Sequence, residues 1–194
     1  MDNLLEMKGI YKNFPGVKAL DNVDFYLKKG EIHALMGENG AGKSTLIKVL
    51  TGVEEFETGQ IILEGKKSII NKSPKEAQAN GISTVYQEVN LCPNISVAEN
   101  LFLDREPRKF GLIDWKKMNK TAKELLDKLD INIDVTKPTE HYSIAIQQMV
   151  AIARAVDMSA KVLILDEPTS SLDDIEVEKL FALMRKLKSD GIGI

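Results

Sequence analysis

One short stretch of this sequence restricts its fold more than any other. Residues 37–44 read Gly-Glu-Asn-Gly-Ala-Gly-Lys-Ser and fit the pattern G-x-x-x-x-G-K-[ST]. The apolar run EIHALM precedes them and predicts a strand, and the run STLIKVL at their end predicts a helix. Glycines in such a loop let backbone N–H groups close around phosphate oxygens, and the helix presents its positive end to them. The sequence therefore predicts an α/β sheet with a phosphate-binding loop.

The side chains of this loop have distinct predicted roles. Lys43 is expected to reach the β and γ phosphates of a nucleotide as a flexible point charge. The hydroxyl of Ser44 is expected to ligate Mg²⁺. The loop residues that we expect to bind the nucleotide are Gly37, Glu38, Asn39, Gly40, Ala41, Gly42, Lys43, Ser44 and Thr45.

A second candidate element lies near the end of the sequence. Residues 162–165 form a continuous apolar run, which is typical of a strand buried on both faces of a parallel sheet, and Asp166 and Glu167 follow directly. Ligands bind at the strand ends of open α/β sheets, so Asp166 is predicted to hold Mg²⁺ through its water shell. Glu167 is predicted to polarise a water for attack on the γ phosphate. Without the phosphate loop, the pair would be interpreted as solvated carboxylates.

Local patterns divide the chain into a core and an insert. Residues 20–28 alternate between apolar and polar side chains, and the first sixty or so residues are predicted to be rich in strands. From about residue 91 the spacing of apolar residues becomes helical. We therefore expect an α/β core formed by residues 1–90 and 155–194, and a helical subdomain formed by residues 91–154.

Short polar residues predict where four of the helices begin. Ser73 and Ser96 each precede a glutamate by three positions, which is the pattern of a capping box. Ser143 is predicted to cap a third helix. Asp173 or Asp174 is predicted to cap the last helix of the chain.

Composition narrows the class of protein further. The 26 Lys and Arg against 29 Asp and Glu give a net charge of −3, so the chain carries no basic excess that would favour nucleic-acid binding. The single cysteine, Cys92, excludes an intramolecular disulfide and indicates a reducing compartment. No apolar run approaches the roughly 20 residues of a membrane span, and the first residues lack the pattern of a signal peptide. These features predict a soluble cytoplasmic chain.

Together these elements resemble the nucleotide-binding domain of ABC transporters over nearly the whole chain. Gln87, which follows the run ISTVY, matches the family's Q-loop glutamine, which contacts Mg²⁺ and couples the site to the membrane partner. The segment after Glu167 matches the family's D-loop, represented here by Ser170, Leu172 and Asp173. Phe14 stands where the family places an aromatic ring against adenine, and an ordinary core aromatic is the alternative. The resemblance implies ATP and Mg²⁺ as ligands, with Glu167 and Gln87 as catalytic residues.

The signature segment departs from the family pattern. Most members have Leu-Ser-Gly-Gly-Gln where residues 142–146 read Tyr-Ser-Ile-Ala-Ile. The resemblance implies that Ser143, Ile144 and Ala145 act in trans on the nucleotide of a partner domain, although two side chains in place of glycines should restrict how closely the backbone approaches it. Similar signatures occur in the tandem ATPases of ribose, galactose and xylose importers. Residues 16–53 of this sequence resemble the first domain of those ATPases.

The resemblance also implies partners and a place in the cell. It implies a head-to-tail dimer with a second nucleotide-binding cassette, bound to membrane permease subunits at the cytoplasmic face. A periplasmic or extracellular sugar-binding protein would be an indirect partner, and nucleic acid is not expected. We therefore expect a P-loop NTPase core with an N-terminal antiparallel β subdomain and an inserted helical subdomain, which powers the import of a monosaccharide.

The family further needs a histidine on the strand that follows the last helix. Residues 191–194 read as the opening of that strand, and the printed sequence stops there. His33 and His141 lie elsewhere and are predicted to be structural or solvated. We therefore expect a C-terminally truncated cassette that binds MgATP and hydrolyses it poorly. The alternatives are a soluble ABC ATPase that acts on ribosomes or DNA, and a nucleotide-sensing module without turnover.

Overall fold

The computed structural model describes residues 3–65, 67–86 and 90–194. The chain separates into two compact units. The first unit consists of Met1–Ser83, Ala160–Ile164 and Leu187–Ile194, and the second consists of Thr84–Ser159 and Leu165–Lys186. The predicted division into a core and an insert at residues 91–154 stays a prediction.

The first unit is built on a four-stranded antiparallel sheet with the order β2-β1-β3-β4. Its strands are β1 (Asn3–Phe14), β2 (Val17–Lys28), β3 (Thr58–Leu63) and β4 (Lys67–Ile69). Met7 lies opposite Phe25 on one side and Ile61 on the other, so its side chain meets both neighbouring strands. The strand-rich start that the sequence predicts is therefore confirmed.

The first unit also contains two helices, one between β2 and β3 and one after β4. They are α1 (Lys43–Leu50) and α2 (Pro74–Ala79). Apolar residues of α1 are buried in one cluster with the inward side chains of the sheet, because every third or fourth residue of the helix lies on the same face. The buried members of that cluster from α1, β1 and β3 are Leu46, Val49, Leu50, Leu4, Leu5, Met7, Ile10, Ile61 and Leu63.

The run EIHALM before the phosphate loop is not a strand, so the prediction of an element there is wrong. Only its first residues pair: the N–H of His33 donates to Ile194 O at 2.7 Å, and the N–H of Ile194 donates to Glu31 O at 2.8 Å. Beyond this point no backbone ladder holds the run among the described residues, and Met36 is 86% exposed. An apolar run forms a strand only where a neighbour pairs with it.

Residues near the end of the chain connect this segment to the rest of the first unit. The strand β8 (Val162–Leu165) begins beside Gly193, whose carbonyl accepts from the N–H of Leu163 at 2.8 Å. Ile194 bonds to the segment before the loop on the other side, as described above. A Cβ on Gly193 would lie 2.8 Å from the Cδ2 atoms of both Leu27 and Leu4, so a larger residue here would require these two side chains to shift. The predicted opening of a strand is present as a β-bridge.

A two-stranded sheet joins β8 to β5 (Ile82–Val85). The N–H of Val162 donates to Gly81 O at 3.0 Å, and the N–H of Asp166 donates to Val85 O at 3.2 Å. The two strands advance by the same number of residues in the same direction, so they are parallel. The parallel strand predicted before Asp166 is confirmed.

The second unit is largely helical. Its elements include α3 (Val97–Phe102), the hairpin of β6 (Arg108–Lys109) and β7 (Leu112–Ile113), α4 (Trp115–Lys128), a 3₁₀ turn at Thr139–His141 and α5 (Ile144–Asp157). Most of α6 (Asp174–Ser189) also belongs to it. Helix α3 packs against α4 and α5. Large side chains of these helices that are fully buried include Leu101, Met118, Leu126 and Ile152.

The predicted caps are confirmed in the structure. Ser73 and Ser96 accept from the backbone N–H groups of the glutamates three residues on, and Glu99 returns the bond to Ser96. Asp173 caps α6, because its carboxylate accepts from Glu176 N–H at 2.8 Å. Across the described residues, no helix combines the length and apolar character that a membrane span requires.

Candidate functional site

The phosphate loop leads directly into α1. Gly42 precedes the helix with φ of 86°, a left-handed conformation that side chains rarely adopt. A Cβ at Gly42 would lie only 2.5 Å from Ala19 O and 3.2 Å from Leu20 Cδ2. Gly40 also has a positive φ of 85°, but open space surrounds it. Both the backbone conformation and the lack of space therefore require glycine at position 42, whereas only the backbone conformation favours glycine at position 40.

Lys43 holds the loop in its present shape. Its Nζ donates to Gly37 O at 2.6 Å and to Glu38 O at 2.9 Å, so the ammonium lies over the loop. The N–H of Ala41 donates to Glu38 O at 3.1 Å and closes the turn. The first turn of α1 carries no acidic side chain, so the positive end of the helix is not neutralised from within. The arrangement concentrates positive potential where an anion would bind.

Ser44 lies in the first turn of α1 and is exposed. Its hydroxyl and the carboxylate of Asp166 are oxygen donors, which Mg²⁺ prefers, and this ion commonly uses one or two protein oxygens together with phosphates and water. The donor chemistry of these residues therefore fits Mg²⁺. Within the described residues, no three His, Cys, Asp or Glu side chains form a cluster that could hold a metal by themselves.

Asp166 and Glu167 lie in a tight turn of the second unit. Backbone pairing with Val85 fixes Asp166 at the end of the parallel sheet. Glu167 adopts a φ of 45°, which strains a residue other than glycine. Its carbonyl accepts from the N–H of Ser170 at 3.2 Å and from the Ser170 hydroxyl at 3.1 Å. These two bonds close the turn between residues 167 and 170. Both carboxylates are exposed and available to solvent.

The D-loop residues lie in the same turn. The N–H of Leu172 donates to Thr169 O at 3.2 Å, and Asp173 then caps α6. The bond is reciprocated, because the N–H of Asp173 donates to Glu176 Oε2 at 3.4 Å. The carboxylate of Asp173 therefore has a local structural role in addition to the one that the resemblance implies.

The signature segment begins α5. The Oγ of Ser143 accepts from the N–H of Ile146 at 3.5 Å, and Ser143 itself is exposed. Ile144 is 53% exposed, whereas Ala145 is only 1% exposed and packs inside the helical unit. Two of the three predicted trans-acting residues therefore reach the surface, and the side chain of the third faces the core.

Tyr142 ties the signature segment to a neighbouring loop. Its hydroxyl donates to Asp134 O at 2.6 Å, and its own carbonyl accepts from Gln147 Nε2 at 2.9 Å. Burial raises the pKa of Tyr142, and the negative charge of Asp134 raises it further. Hydrogen bonds from Thr136 lower the pKa of Asp134. The sequence did not predict the hydrogen bond between Tyr142 and Asp134. The one local indication of it is a tyrosine where most family members have leucine.

Phe14 ends β1 and is half-buried. The Nζ of Lys12 lies 4.9 Å from the centroid of its ring, and the same ammonium pairs with Glu54 at 3.4 Å. One face of the ring therefore carries a cation, and the half-buried ring is not enclosed as a core side chain would be. Gln87, the predicted Q-loop residue, lies outside the described residues.

The structure distributes the predicted residues over the two units. The first unit contains Phe14 and residues 37–45. The second contains residues 143–145 and the turn that holds Asp166, Glu167 and the D-loop. Within the second unit, the turn at residues 166–173 brings Asp166, Glu167 and the D-loop residues together.

Comparison with known proteins identifies the class to which this fold and these motifs belong. The profile of the ABC transporter family matches residues 20–170, so the chain belongs to that family. The fold is similar to the ADP conformation of MJ1267, an ATP-binding cassette of an ABC transporter, with a TM-score of 0.84 and 28% identity over 99% of this chain and 79% of that one. The predicted fold class, a P-loop NTPase core with β and helical subdomains, is confirmed.

Particular relatives are similar over nearly the whole chain. The galactofuranose transporter ATP-binding protein YtfR of Escherichia coli K12 is 59% identical over 98% of this chain and 38% of its own length. The fructose import ATP-binding protein FruK of Bifidobacterium longum is 57% identical over 98% and 37%. The ribose import ATP-binding protein RbsA 1 of Streptomyces avermitilis is 51% identical over 100% and 37%. The chain thus spans well under half the length of these curated relatives and resembles the ATPases of monosaccharide importers.

Proposed function

We propose that this chain is the ATP-binding and hydrolysing part of an importer for a monosaccharide. The observation that carries the proposal is the phosphate loop, in which Lys43 and the start of α1 converge on one anion-binding position. The names of the relatives support a sugar as the cargo.

Nucleotide binding would begin with an exchange of partners at Lys43. The ammonium now donates to two neutral carbonyl oxygens, whereas the β and γ phosphates offer charged ones. Hydrogen bonds between two charged groups are shorter and stronger than those to a neutral acceptor, so phosphate displaces the carbonyls. The backbone N–H groups of residues 38–45 then take the remaining oxygens, and Phe14 provides a ring against which adenine stacks.

Hydrolysis would rest on the residues of the second unit together with Gln87. Ser44, Asp166 and Gln87 would hold Mg²⁺, Asp166 through the ion's water shell, and the ion would supply neutralisation of the charge that develops on the phosphates. Glu167 accepts a hydrogen bond from the attacking water and orients it. The turn that fixes the Glu167 backbone at an unusual φ restricts the positions that its carboxylate can take.

A second cassette would complete the reaction. In a head-to-tail dimer, the exposed Ser143 and the start of α5 would face the γ phosphate held by the partner, and residues 170–173 would meet the opposing subunit. The hydroxyl and the helix end supply fixed positive potential in the transition state. Membrane permease subunits at the cytoplasmic face would receive the resulting motion, and a sugar-binding protein outside would deliver the cargo.

The 194-residue chain by itself is proposed to bind MgATP and turn it over poorly. Its two histidines, His33 and His141, lie before β8 in sequence, and neither takes the place of the family's histidine after the last helix. His33 stacks edge-on against Phe25 at 5.1 Å and pairs with Glu31 at 3.4 Å, which agrees with a structural role.

Binding and turnover of the purified chain test this function. Calorimetric titration with MgATP should give saturable binding that Lys43→Ala weakens and that Glu167→Gln leaves intact. Absence of binding by the folded wild-type chain would overturn the proposed function. Steady turnover by the 194 residues that disappears in Glu167→Gln would instead show that the poor-activity part is wrong.

The exposure of Ile144 supports one alternative function, a module that senses nucleotide without hydrolysing it. A branched side chain at this surface position limits how closely the signature backbone can approach a partner's phosphate, which would suit a module that senses nucleotide without turnover. Single-turnover measurement on the full-length protein separates the two functions. Product formation in one turnover excludes a sensor.

A further inference from the structure

The hairpin of β6 and β7 contains none of the residues that the proposed function uses. Its strands, Arg108–Lys109 and Leu112–Ile113, pair directly, so only Phe110 and Gly111 lie in the loop between them. Both loop residues have a positive φ, 53° at Phe110 and 83° at Gly111. Two-residue hairpin loops of this kind strongly favour Asn-Gly, Asp-Gly or Gly-Gly, because those residues adopt the left-handed conformation at little cost. Phenylalanine is therefore an unusual residue for this turn.

The conformation of Phe110 carries a cost that its own packing does not offset. A φ of 53° is strained for a large side chain, and the ring is 94% exposed, so it gains almost no apolar burial within the chain. The Nζ of Lys109, itself an exposed residue, lies 5.8 Å from the ring centroid. A strained residue with no packing role in the fold indicates a contact with something outside the chain.

Other large apolar side chains are exposed close to Phe110 in sequence. Leu112 is 76% exposed, and Trp115, the first residue of α4, is 51% exposed. We name residues 107–117, which contain all three, the exposed hairpin. Aromatic side chains are enriched where a protein meets the headgroup layer of a bilayer, because one part of the ring system is apolar and the rest tolerates a polar environment.

The exposed hairpin is basic although the chain as a whole is acidic. Its one carboxylate, Asp114, accepts from the N–H of Lys117 at 3.0 Å and so caps α4. Its four exposed cations are Arg108, Lys109, Lys116 and Lys117. Four cations and one carboxylate give this segment a net charge of +3, whereas the chain has −3, so the other residues together carry −6. A basic segment on an acidic chain turns that segment towards an anionic partner.

We propose that the exposed hairpin docks on an anionic lipid surface. The rings of Phe110 and Trp115 enter the headgroup layer, and the four cations lie over the lipid phosphates. The exposure of Phe110 means that the tip projects into solvent, and a deformable lipid layer accepts such a tip without a preformed pocket. The inference goes beyond the proposed function, because it gives the chain a direct contact with lipid and does not depend on nucleotide.

The test measures sedimentation of the full-length protein with lipid vesicles. One set of vesicles is pure phosphatidylcholine, and the other contains phosphatidylcholine and phosphatidylglycerol in equal parts. Phe110→Asn removes the ring and introduces a residue that the turn favours, so this variant should be at least as stable as wild type, which thermal unfolding checks. The double variant Arg108→Gln/Lys109→Gln removes two charges. Lys120→Gln/Lys123→Gln is its matched control, because it removes two exposed charges of α4 outside the hairpin.

The expected result is binding of the wild type to the anionic vesicles and not to the neutral ones. Arg108→Gln/Lys109→Gln should lower the partition coefficient by about 25-fold, because each basic residue near an anionic surface contributes roughly fivefold. Phe110→Asn should lower it by roughly fivefold through loss of apolar contact. Lys120→Gln/Lys123→Gln should stay within about twofold of wild type. An equal loss in this control would overturn the proposal, because total charge and not the hairpin would then determine binding.

Two further outcomes would also overturn the proposal. One is failure of the wild type to bind the anionic vesicles. The other is binding only to neutral vesicles that contain the permease, lost in Phe110→Asn, which would show that the hairpin docks on protein. Calorimetric titration with MgATP keeps the two ideas apart: Phe110→Asn should bind MgATP as tightly as wild type. Failure of the wild type to bind MgATP would remove the proposed function and leave the lipid contact standing.

Discussion

The phosphate loop and the signature segment are both helix starts, yet they are built differently. The loop reaches α1 through Gly42, whose left-handed backbone and crowded surroundings exclude any side chain. The signature reaches α5 through Ser143, which has an extended backbone and a side-chain cap. In the proposed function, the loop encloses an anion, whereas the signature only presents a helix end and a hydroxyl. Under that proposal, glycine is required at the start of α1 and can be replaced at the start of α5.

The largest expected effect is at Gly42. Gly42→Ala combines a positive φ with a 2.5 Å approach to Ala19 O, so we expect MgATP affinity to fall by about 100-fold, corresponding to the upper range of local backbone strain. Gly40→Ala is the matched variant, because it shares the φ and lacks the clash. Calorimetric titration of both should show the smaller loss in Gly40→Ala. Equal losses would mean that space plays no part at Gly42.

The next effect distinguishes the start of α1, which is proposed to bind the chain's own nucleotide, from the start of α5, which is proposed to act on a partner's nucleotide. Ser143→Ala should leave MgATP affinity of the 194-residue chain unchanged, because Ser143 would act on a partner's nucleotide. In the full-length protein the same change should lower kcat by at least about tenfold, as loss of a preorganised donor does elsewhere. Parallel binding and turnover assays check this. A loss of affinity in the isolated chain would contradict the division of roles.

A smaller effect is expected where the signature departs from glycine. Ile144→Gly removes a side chain that is 53% exposed, so little packing is lost and unfolding free energy should fall by less than about 1 kcal/mol. Closer approach of the backbone to the partner's phosphate should raise kcat of the full-length protein. Ile144→Val provides the control, since valine keeps the branched Cβ and should leave kcat unchanged. No rise in kcat with Gly would show that Ile144 does not limit turnover.

The smallest effect on turnover is expected at Tyr142, whose hydrogen bond to Asp134 O contributes to stability alone. Tyr142→Phe removes the hydrogen bond to Asp134 O and should lower the unfolding free energy by about 1 kcal/mol. The pKa of Tyr142 is raised in the folded state above its ordinary value of 10.0. The folded chain therefore holds the proton more tightly, and stability from this group is present below pH 10.0 and lost as pH rises towards the higher folded pKa.

Denaturant titrations of wild type and Tyr142→Phe across this alkaline range measure the difference. The stability gap between the two proteins should narrow as pH rises. A constant gap would show that the hydroxyl does not titrate differently in the folded state.

Local features were the ones that sequence could predict. The phosphate loop, the strand before Asp166 and the cap at Asp173 each depend on a few consecutive residues, and the structure contains all three. The run EIHALM also had a local signal, but strand formation requires a neighbour, which only its first residues have.

Features that depend on distant residues had no such signal. Asn100 sits in an apolar helix, and only its partners at positions 92 and 139 explain it. The tie between Tyr142 and Asp134 is likewise invisible without knowing which loop lies nearby. Specific side-chain bonds across long loops are set by tertiary packing, which periodicity does not encode.

The pairing of His33 with Ile194 has a consequence for how the nucleotide site is assembled. These residues are about 160 positions apart, so the bonds between them contribute to a high contact order, and such contacts form late in folding. During synthesis the phosphate loop leaves the ribosome long before the residues that fix the segment leading into it. The loop is therefore expected to acquire its final anchorage only after residues up to Ile194 have been synthesised.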